Sequence, residues 1–437
     1  MMNSLKVSTL ERWQQSRFVT GYSFLMLVLC VLYAFSVIPN FEWQDDLKNA
    51  IIFGSLPYLI TLIAQKRLDK APLILIFFAI ILQVVSWGYA HSLIPNELKS
   101  YPQIKPLVSL FIFVFISLWV APKRLYRLLL LAGFMGGFLY AVIHHQLDHN
   151  TLIKGLQGRR VDFDMHNAQF TSMLGIVIIF VTAFISHALY RCNKLSAGVL
   201  LLVMTPLGLF ITFISQSRQV WLALVITLAF LPLIIFKKNG KAMLVLYTAL
   251  AIAGYSVLSN DTVQRRINSE SNTVQAITQM QWDKIPMSSI GIRVNSWIES
   301  LDWIARSPIV GQSKEAIPLV IQQSDVFPKH LKRFGHLHNY YLETLVAYGA
   351  LGILFIIAFY RWIYLNIKEH GSRFERYFFI TFLLFWAIIN CFESYNNKHL
   401  GLFAHTIILA SLYYPFRTIK TSSVDENEVI SNENMSR

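Results

Sequence analysis

Residues 167–190, NAQFTSMLGIVIIFVTAFISHALY, contain no Lys, Arg, Asp or Glu. A bilayer core ~30 Å thick is crossed by about 20 helical residues, and a helix satisfies its own backbone polar groups there. The stretch reads as a membrane-spanning helix. Eleven more apolar runs occupy about 21–38, 47–64, 71–91, 106–121, 126–143, 196–214, 219–236, 242–258, 340–360, 373–391 and 399–415. The chain is therefore expected to be an all-α polytopic membrane protein with about 12 transmembrane helices. Its composition, 55% apolar and 14% charged over 437 residues, lies far from that of a soluble domain, where roughly a quarter of residues are charged. The net charge of +14 is spread between apolar runs, which points to the lipid bilayer as its partner and away from nucleic acid. Cys30, Cys192 and Cys391 show neither CxxC spacing nor a paired framework, so no disulfide scaffold or zinc site is expected. The first run lacks a small-residue cleavage site and reads as a retained span.

Charge asymmetry orients these spans, because Lys and Arg of short loops stay on the cytoplasmic side. With the amino terminus inside, 21 of the 38 Lys and Arg fall in cytoplasmic segments and eight in short outer ones. Both termini are thus expected in the cytoplasm. Residues 1–258 would form nine spans, 259–339 a long outer loop, 340–416 three more spans, and 417–437 a polar, disordered cytoplasmic tail. Within the loop, 292–306 has Trp297, Leu301 and Ile304 at i, i+4, i+7, which predicts an amphipathic helix closed by Pro308. Trp297 and Trp303 are expected at headgroup level. Gly133 and Gly137, at GxxxG spacing, predict close helix packing.

Polar groups of the outer side form four clusters. In the first, Asp162-x-Asp164 has the spacing by which many glycosyltransferases hold a divalent ion, with His166 as a third ligand; a solvated loop is the competing reading. The adjacent Arg159 and Arg160 offer planar donors suited to phosphate. The second is Ser215 to Trp221, a tight turn in which Arg218 breaks the charge rule. A cation there needs an anionic partner, and an anionic substrate is the simplest one, with snorkelling to a headgroup as the alternative. In the third, Arg293 and Trp297 share one helix face, while Glu299 and Asp302 are at the wrong spacing to pair with Arg293. The fourth is Gly335 to Glu343, where Asn339 caps a helix. His338 then lies at the positive end of that helix, which favours a neutral imidazole able to act as a general base.

The order SQSRQVW (215–221) in a short outer turn, GIRVNSW (291–297) and SPIVG (307–311) in a long outer loop, and HLHNYYLETLVAYGALG (336–352) entering a span resembles the O-antigen ligase and O-antigen polymerase superfamily of bacterial inner membranes. The resemblance covers roughly residues 160 to 400. It implies a GT-C-like membrane glycosyltransferase with a long periplasmic loop between spans 9 and 10 and a periplasmic active site. The implied donor is an undecaprenyl-pyrophosphate-linked glycan. The implied acceptor is a sugar hydroxyl of lipid A-core, a protein Ser/Thr, or another repeat unit. Arg218 and Arg293 match the family's arginines and His338 its histidine, giving three catalytic positions; Arg159, Arg160, Trp297, His336 and Asn339 are the accompanying substrate-binding candidates. No metal or cofactor is implied, because the arginines supply the positive charge. His336 makes the histidine assignment ambiguous, and His338 is chosen because it directly precedes the Asn. One departure is Ser313, where the family pattern Pro-x-x-Gly-x-Gly has its second glycine.

Three readings follow. Ligation of O-antigen to lipid A-core is preferred, because the outer loop is modest and no domain follows the last span. Protein O-oligosaccharyltransferase and repeat-unit polymerase are alternatives within the superfamily. A non-enzymatic lipid-glycan transporter is the alternative outside it, and it would carry polar residues at mid-membrane, whereas these charges gather at the outer mouth.

Overall fold

The computed structural model describes residues 17–235, 240–259, 263–264 and 268–417. The segment before Arg17, residues 236–239 with Lys237 and Lys238, and the expected disordered tail beyond Arg417 lie outside the described residues. Every predicted apolar run is helical. Before the long loop come α1 (Arg17–Ser36), α2 (Gln44–Ala64), α3 (Ala71–Ala90), α4 (Ile112–Val120), α5 (Arg124–His149), α6 (Ala168–Tyr190), α7 (Lys194–Ile214), α8 (Arg218–Ile235) and α9 (Gly240–Leu258). The loop carries α10 (Ser289–Arg306), and α11 (Tyr340–His370), α12 (Arg373–Asn390) and α13 (His399–Leu412) follow. Among the described residues there is no strand, only an isolated Leu68–Phe416 bridge.

Six helices, α2, α3, α5, α6, α7 and α11, are long and apolar enough to cross a membrane. The remaining candidates α1, α8, α9, α13 and the stretch Lys105–Val120 are apolar but shorter, and α12 opens on Arg373, Glu375 and Arg376. The chain is thus an all-helical protein with the helices of a polytopic membrane protein. The run at 106–121 is broken into Lys105–Val108, a 3-10 turn at Ser109–Phe111 and α4, a bend that hydropathy does not register. Conversely, α5 and α11 continue past their apolar windows to His149 and His370. Hydropathy marks where a helix would leave lipid, not where its hydrogen bonding stops. Gly133 and Gly137 do mark a close packing: they lie against the backbone of Val31 and Phe35 on α1.

Contacts sort the connecting segments into two ends. At one end Arg127 Nη1 meets Glu375 Oε1 at 3.1 Å, and its guanidinium stacks on Tyr414 at 4.0 Å. There too Asp69 accepts from Trp362 Nε1 and Tyr413 OH, both at 3.0 Å. At the other end the segments around Gly158, Gln216, Glu270, Leu337 and Glu393 converge, with α10 laid across them. Segments assigned to one side by the charge pattern therefore share an end.

Between α10 and α11, backbone docks on backbone. The turn Pro308–Ser313 lies along α11 where that helix bends at Gly349. Gln312 N and Ser313 N donate to Val346 O and Ala347 O, both at 2.9 Å, while Ala350 N and Leu351 N donate to Pro308 O (2.8 Å) and Ile309 O (3.1 Å). Gly349 has φ 59° and ψ −158°, a combination essentially reserved to glycine, and a Cβ there would sit 2.4 Å from the Ile309 backbone. Gly311, at φ 69°, approaches the Ala347–Tyr348 peptide so closely that a Cβ would lie 2.3 Å from it. Ser313 also has a positive φ, 66°, which accounts for the glycine that the family pattern has there. Its N–H donates in addition to Ser86 Oγ at 2.8 Å.

The α10 helix forms where expected, capped by Ser288, whose side chain accepts from Gly291 N. Leu301 is 58% exposed, and the buried positions are Gly291, Asn295, Ser296, Ser300 and Trp303. Small and amide side chains face inward because they meet backbone: Ser296 Oγ donates to Leu337 O (3.3 Å) and Asn295 Nδ2 to Ile285 O (3.4 Å). Both tryptophans are engaged with the protein. Trp303 is 5% exposed, and Trp297 Nε1 donates to Leu337 O at 2.9 Å.

Replacing Gly349 with Ala is expected to cost about 3 kcal/mol or more, from the forbidden dihedrals and the backbone clash together. Thermal unfolding of the purified protein in detergent measures it; an unchanged midpoint would refute the docking.

Candidate functional site

Arg218 begins α8 directly after a tight turn, in which Gln216 adopts φ 52°. Gln216 Nε2 reaches Gly158 O at 2.9 Å and Arg160 Nε reaches Ser215 O at 3.4 Å, so the turn and the loop before α6 are tied together. Arg160 lines a cavity of about 320 Å³; Arg159 is exposed and is not among the residues that line it. Arg218, Arg293, Trp297 and Gln169 line the same cavity. Arg293 and Trp297, one turn apart on α10, share the face that looks into it.

The two principal arginines are held differently. Arg218 Nη2 donates to Glu270 Oε1 at 2.8 Å, and Glu270 Oε2 accepts from Ser288 Oγ, the α10 cap, at 2.5 Å. The requirement for an anionic partner, read from the sequence as a requirement for substrate, is thus met within the chain by Glu270. Burial works against the Glu270 carboxylate, but the hydrogen bonds from Ser288 and Arg218 outweigh it and hold its pKa below the ordinary 4.5. Arg293 forms no ion pair among the described residues. Its Nη1 donates to Ser289 O at 3.3 Å, and its Nε is buried without a hydrogen-bond partner. Burial pushes its pKa down while the charge of Glu393 pulls the other way. The expected exclusion of Glu299 and Asp302 as its partners agrees with this geometry.

Between Arg293 and the histidines stands Gln169, two residues after the Asn167 cap of α6. With its amide oriented oxygen toward Arg293 Nη2 (2.9 Å) and nitrogen toward Glu393 Oε2 (2.8 Å), it satisfies both neighbours. Glu393 is 2% exposed; its Oε2 lies 2.8 Å from His338 Nδ1 and its Oε1 3.6 Å from His336 Nε2. Burial raises the Glu393 pKa, yet the hydrogen bond from His338 and the charges of His338 and His336 bring it down to about 2. His336 is pushed to about 4 by burial and then by the charge of His338. The expectation for His338 rested on the helix end alone, and Glu393 adds a carboxylate to that picture. His338 itself sits at φ 53°, just before Asn339, whose Oδ1 accepts from Tyr341 N and Leu342 N.

Of the eight residues singled out in the sequence, Arg160, Arg218, Arg293 and Trp297 share one cavity, and His338 joins it through Glu393 and Gln169. His336 adjoins Glu393 but opens onto a second cleft. Arg159 is not among the residues lining either cavity, and Asn339 is committed to capping. Sequence reasoning passes over Glu393, Glu270 and Gln169, because each lies on a different segment from the side chains it meets. Asp162, Asp164 and His166 do not form a group whose ligand atoms lie within 4.8 Å of one another. Asp162 Oδ1 accepts from Asp164 N at 3.2 Å, and the described His, Cys, Asp and Glu side chains close enough to share an ion are His336, His338 and Glu393, with ligand atoms within 4.8 Å of one another.

Residues 203–357 match the Wzy_C family model, described as O-antigen ligase, the superfamily that the motif order resembles. The matched stretch contains Arg218, Arg293 and His338 and stops before Glu393. The match implies a membrane glycosyltransferase-like enzyme, with a lipid-linked glycan as donor and a lipid or other glycoconjugate as acceptor. No curated protein matches the chain.

Because the folded pKa of Glu270 lies below the ordinary 4.5, the Arg218–Glu270 pair adds stability above about pH 4.5 and loses it as acidification protonates Glu270. Arg218→Ala is expected to destabilise by about 1–3 kcal/mol at neutral pH by leaving a buried carboxylate unpaired, and adding Glu270→Gln should recover most of that loss. Unfolding midpoints of the two variants across pH 3–8 would check both statements.

Proposed function

We propose that the protein is an O-antigen ligase. It transfers a glycan from undecaprenyl pyrophosphate to a sugar hydroxyl of lipid A-core at the periplasmic face of the bacterial inner membrane, with twelve spans and both termini in the cytoplasm. The observation that supports this most directly is Arg293, a partly buried guanidinium without an ion pair among the described residues, which lines a cavity of about 320 Å³ together with Arg160 and Arg218. A cation withdrawn from water needs an anion nearby, and a diphosphate supplies one.

In the reaction, the acceptor hydroxyl oxygen attacks the anomeric carbon. The bond from that carbon to the diphosphate breaks, and its electron pair leaves with the lipid diphosphate. Charge grows on the departing oxygens, so fixed guanidinium groups stabilise the transition state more than the ground state. The hydroxyl proton passes to His338. With ionised Glu393 accepting from Nδ1–H, Nε2 is the nitrogen that presents a lone pair; it has no other partner among the described residues. A single displacement inverts the anomeric centre.

Arg218→Ala, Arg293→Ala and His338→Ala are each expected to lower transfer by a factor on the order of 10² or more, and lysine at either arginine should rescue poorly because it lacks the planar fork. The assay is purified protein reconstituted with undecaprenyl-pyrophosphate glycan and either lipid A-core or a pilin-type protein. Glycosylation of the protein alone would overturn the ligase reading in favour of an oligosaccharyltransferase, and full activity of His338→Ala would remove the base.

Glu393→Gln tests the orienting role separately. It should lower kcat by about 10²-fold and alter the pH profile of kcat, while leaving the donor KM near that of the wild type. A change in stability with an unaltered pH profile would assign Glu393 a structural role only.

A further inference from the structure

A second cleft, of about 330 Å³, shares no lining residue with the arginine cavity. His336 forms part of its wall, with its ring centroid 4.0 Å from that of His338. Lys99, Lys314 and Lys398 also line it. They come from the α3–α4 connection, the turn after α10 and the segment before α13, so three separate parts of the chain bring a cation to one place. None of the three forms an ion pair among the described residues. Two carboxylates share the wall. Glu343 is already engaged, by Leu337 N at 3.0 Å and Asn397 Nδ2 at 2.9 Å. Glu315 Oε2 accepts from Ser313 Oγ at 2.6 Å, while its Oε1 is buried without a partner. Burial and the charge of Lys99 both push the Lys314 pKa down, so the cations repel one another when the cleft is empty.

We infer that this cleft is the acceptor subsite and that it takes an anionic saccharide, with Lys99, Lys314 and Lys398 holding its phosphate or carboxylate groups and the orphaned Glu315 oxygen accepting from a sugar hydroxyl. The inference rests on the ligase reading above. An attacking hydroxyl must approach the anomeric carbon from the side opposite the leaving diphosphate. With the diphosphate among the arginines, an acceptor held against His336 is placed beside His338, in a cleft that the arginines do not line. Opposite charge in the cleft raises the local concentration of an anionic acceptor, and the hydroxyl of such an acceptor is carried toward the imidazole.

The full chain in nanodiscs of zwitterionic lipid provides the test. Binding of lipid A-core to inactive His338→Ala enzyme does not require turnover, so the cleft and the ligase reading can fail separately. Lys99→Gln, Lys314→Gln and Lys398→Gln combined should weaken that binding at least tenfold, and Lys329→Gln, outside the cleft, should not. In otherwise wild-type enzyme the triple variant should raise the acceptor KM and leave the donor KM unmoved. Dephosphorylated core and carboxyl-reduced core identify which anionic group is read, since at least one should bind wild-type cleft as weakly as intact core binds the triple variant. Unchanged affinity in the triple variant, absence of core binding, or complete displacement of core by added anionic phospholipid would overturn the assignment. Lysine-dependent binding of a core that is never glycosylated would overturn the ligase reading and leave the anionic-saccharide cleft standing.

Discussion

The contact on which the rest depends is the backbone pairing of the Pro308–Ser313 turn with α11 at its Gly349 bend. Four hydrogen bonds and two side-chain-free approaches fix the turn that ends α10 against the helix that His338 precedes. The consequence is a fixed relation between Arg293 and the residues before Tyr340. Trp297 then reaches Leu337 O, next to His338, and Ser296 on the same helix reaches it too. Backbone pairing suits this task because main-chain donors and acceptors have no rotamers to lose. Ser313 adopts the same positive-φ geometry as its glycine neighbours at a modest conformational cost, offset by its links to Ser86 and Glu315.

Charge at the converging end follows one physical rule with two outcomes. A cation removed from water needs an anion nearby. Arg218 has Glu270, and this ion pair also anchors the start of α10 through Ser288. Arg293 has the oxygen of a neutral amide, the Ser289 carbonyl and a more distant carboxylate. Gln169 thereby separates Arg293 from Glu393, so the carboxylate remains with the imidazole and the guanidinium keeps its capacity for an external anion. Exchange of that amide for a carboxylate would collapse the distinction, because Arg293 would then be neutralised from inside.

Much of this was legible in the sequence. Twelve apolar runs gave twelve helical segments, because burial of apolar surface and internal hydrogen bonding act over lengths that a sequence displays directly. The clusters around Arg218, Arg293 and His338 were legible because cations are rare in short outer turns, so their presence calls for a reason. The partners were less so. Glu270, Gln169 and Glu393 lie on three different segments far apart in the chain, and nothing in residue spacing tells which acid will meet which base. The inward face of α10 is hidden for a related reason: its contacts are hydrogen bonds to the backbone, which select Ser and Asn, and the spacing of Trp297, Leu301 and Ile304 says nothing of them. Arg159 and Arg160 are neighbours in a loop without regular structure, so no periodicity tells which of them lines the cavity.

His338 occupies the left-handed region at φ 53°, where Asn, Asp and glycine are comfortable and β-branched residues are not. The spectrum of tolerated replacements at this site is therefore narrowed by stereochemistry before any proton moves. Valine or isoleucine there would disturb the chain path into α11 and report on folding, whereas asparagine preserves the path and removes only the basic nitrogen. Saturation mutagenesis at 338 consequently mixes two kinds of loss, and backbone-compatible side chains are the ones that isolate the chemistry.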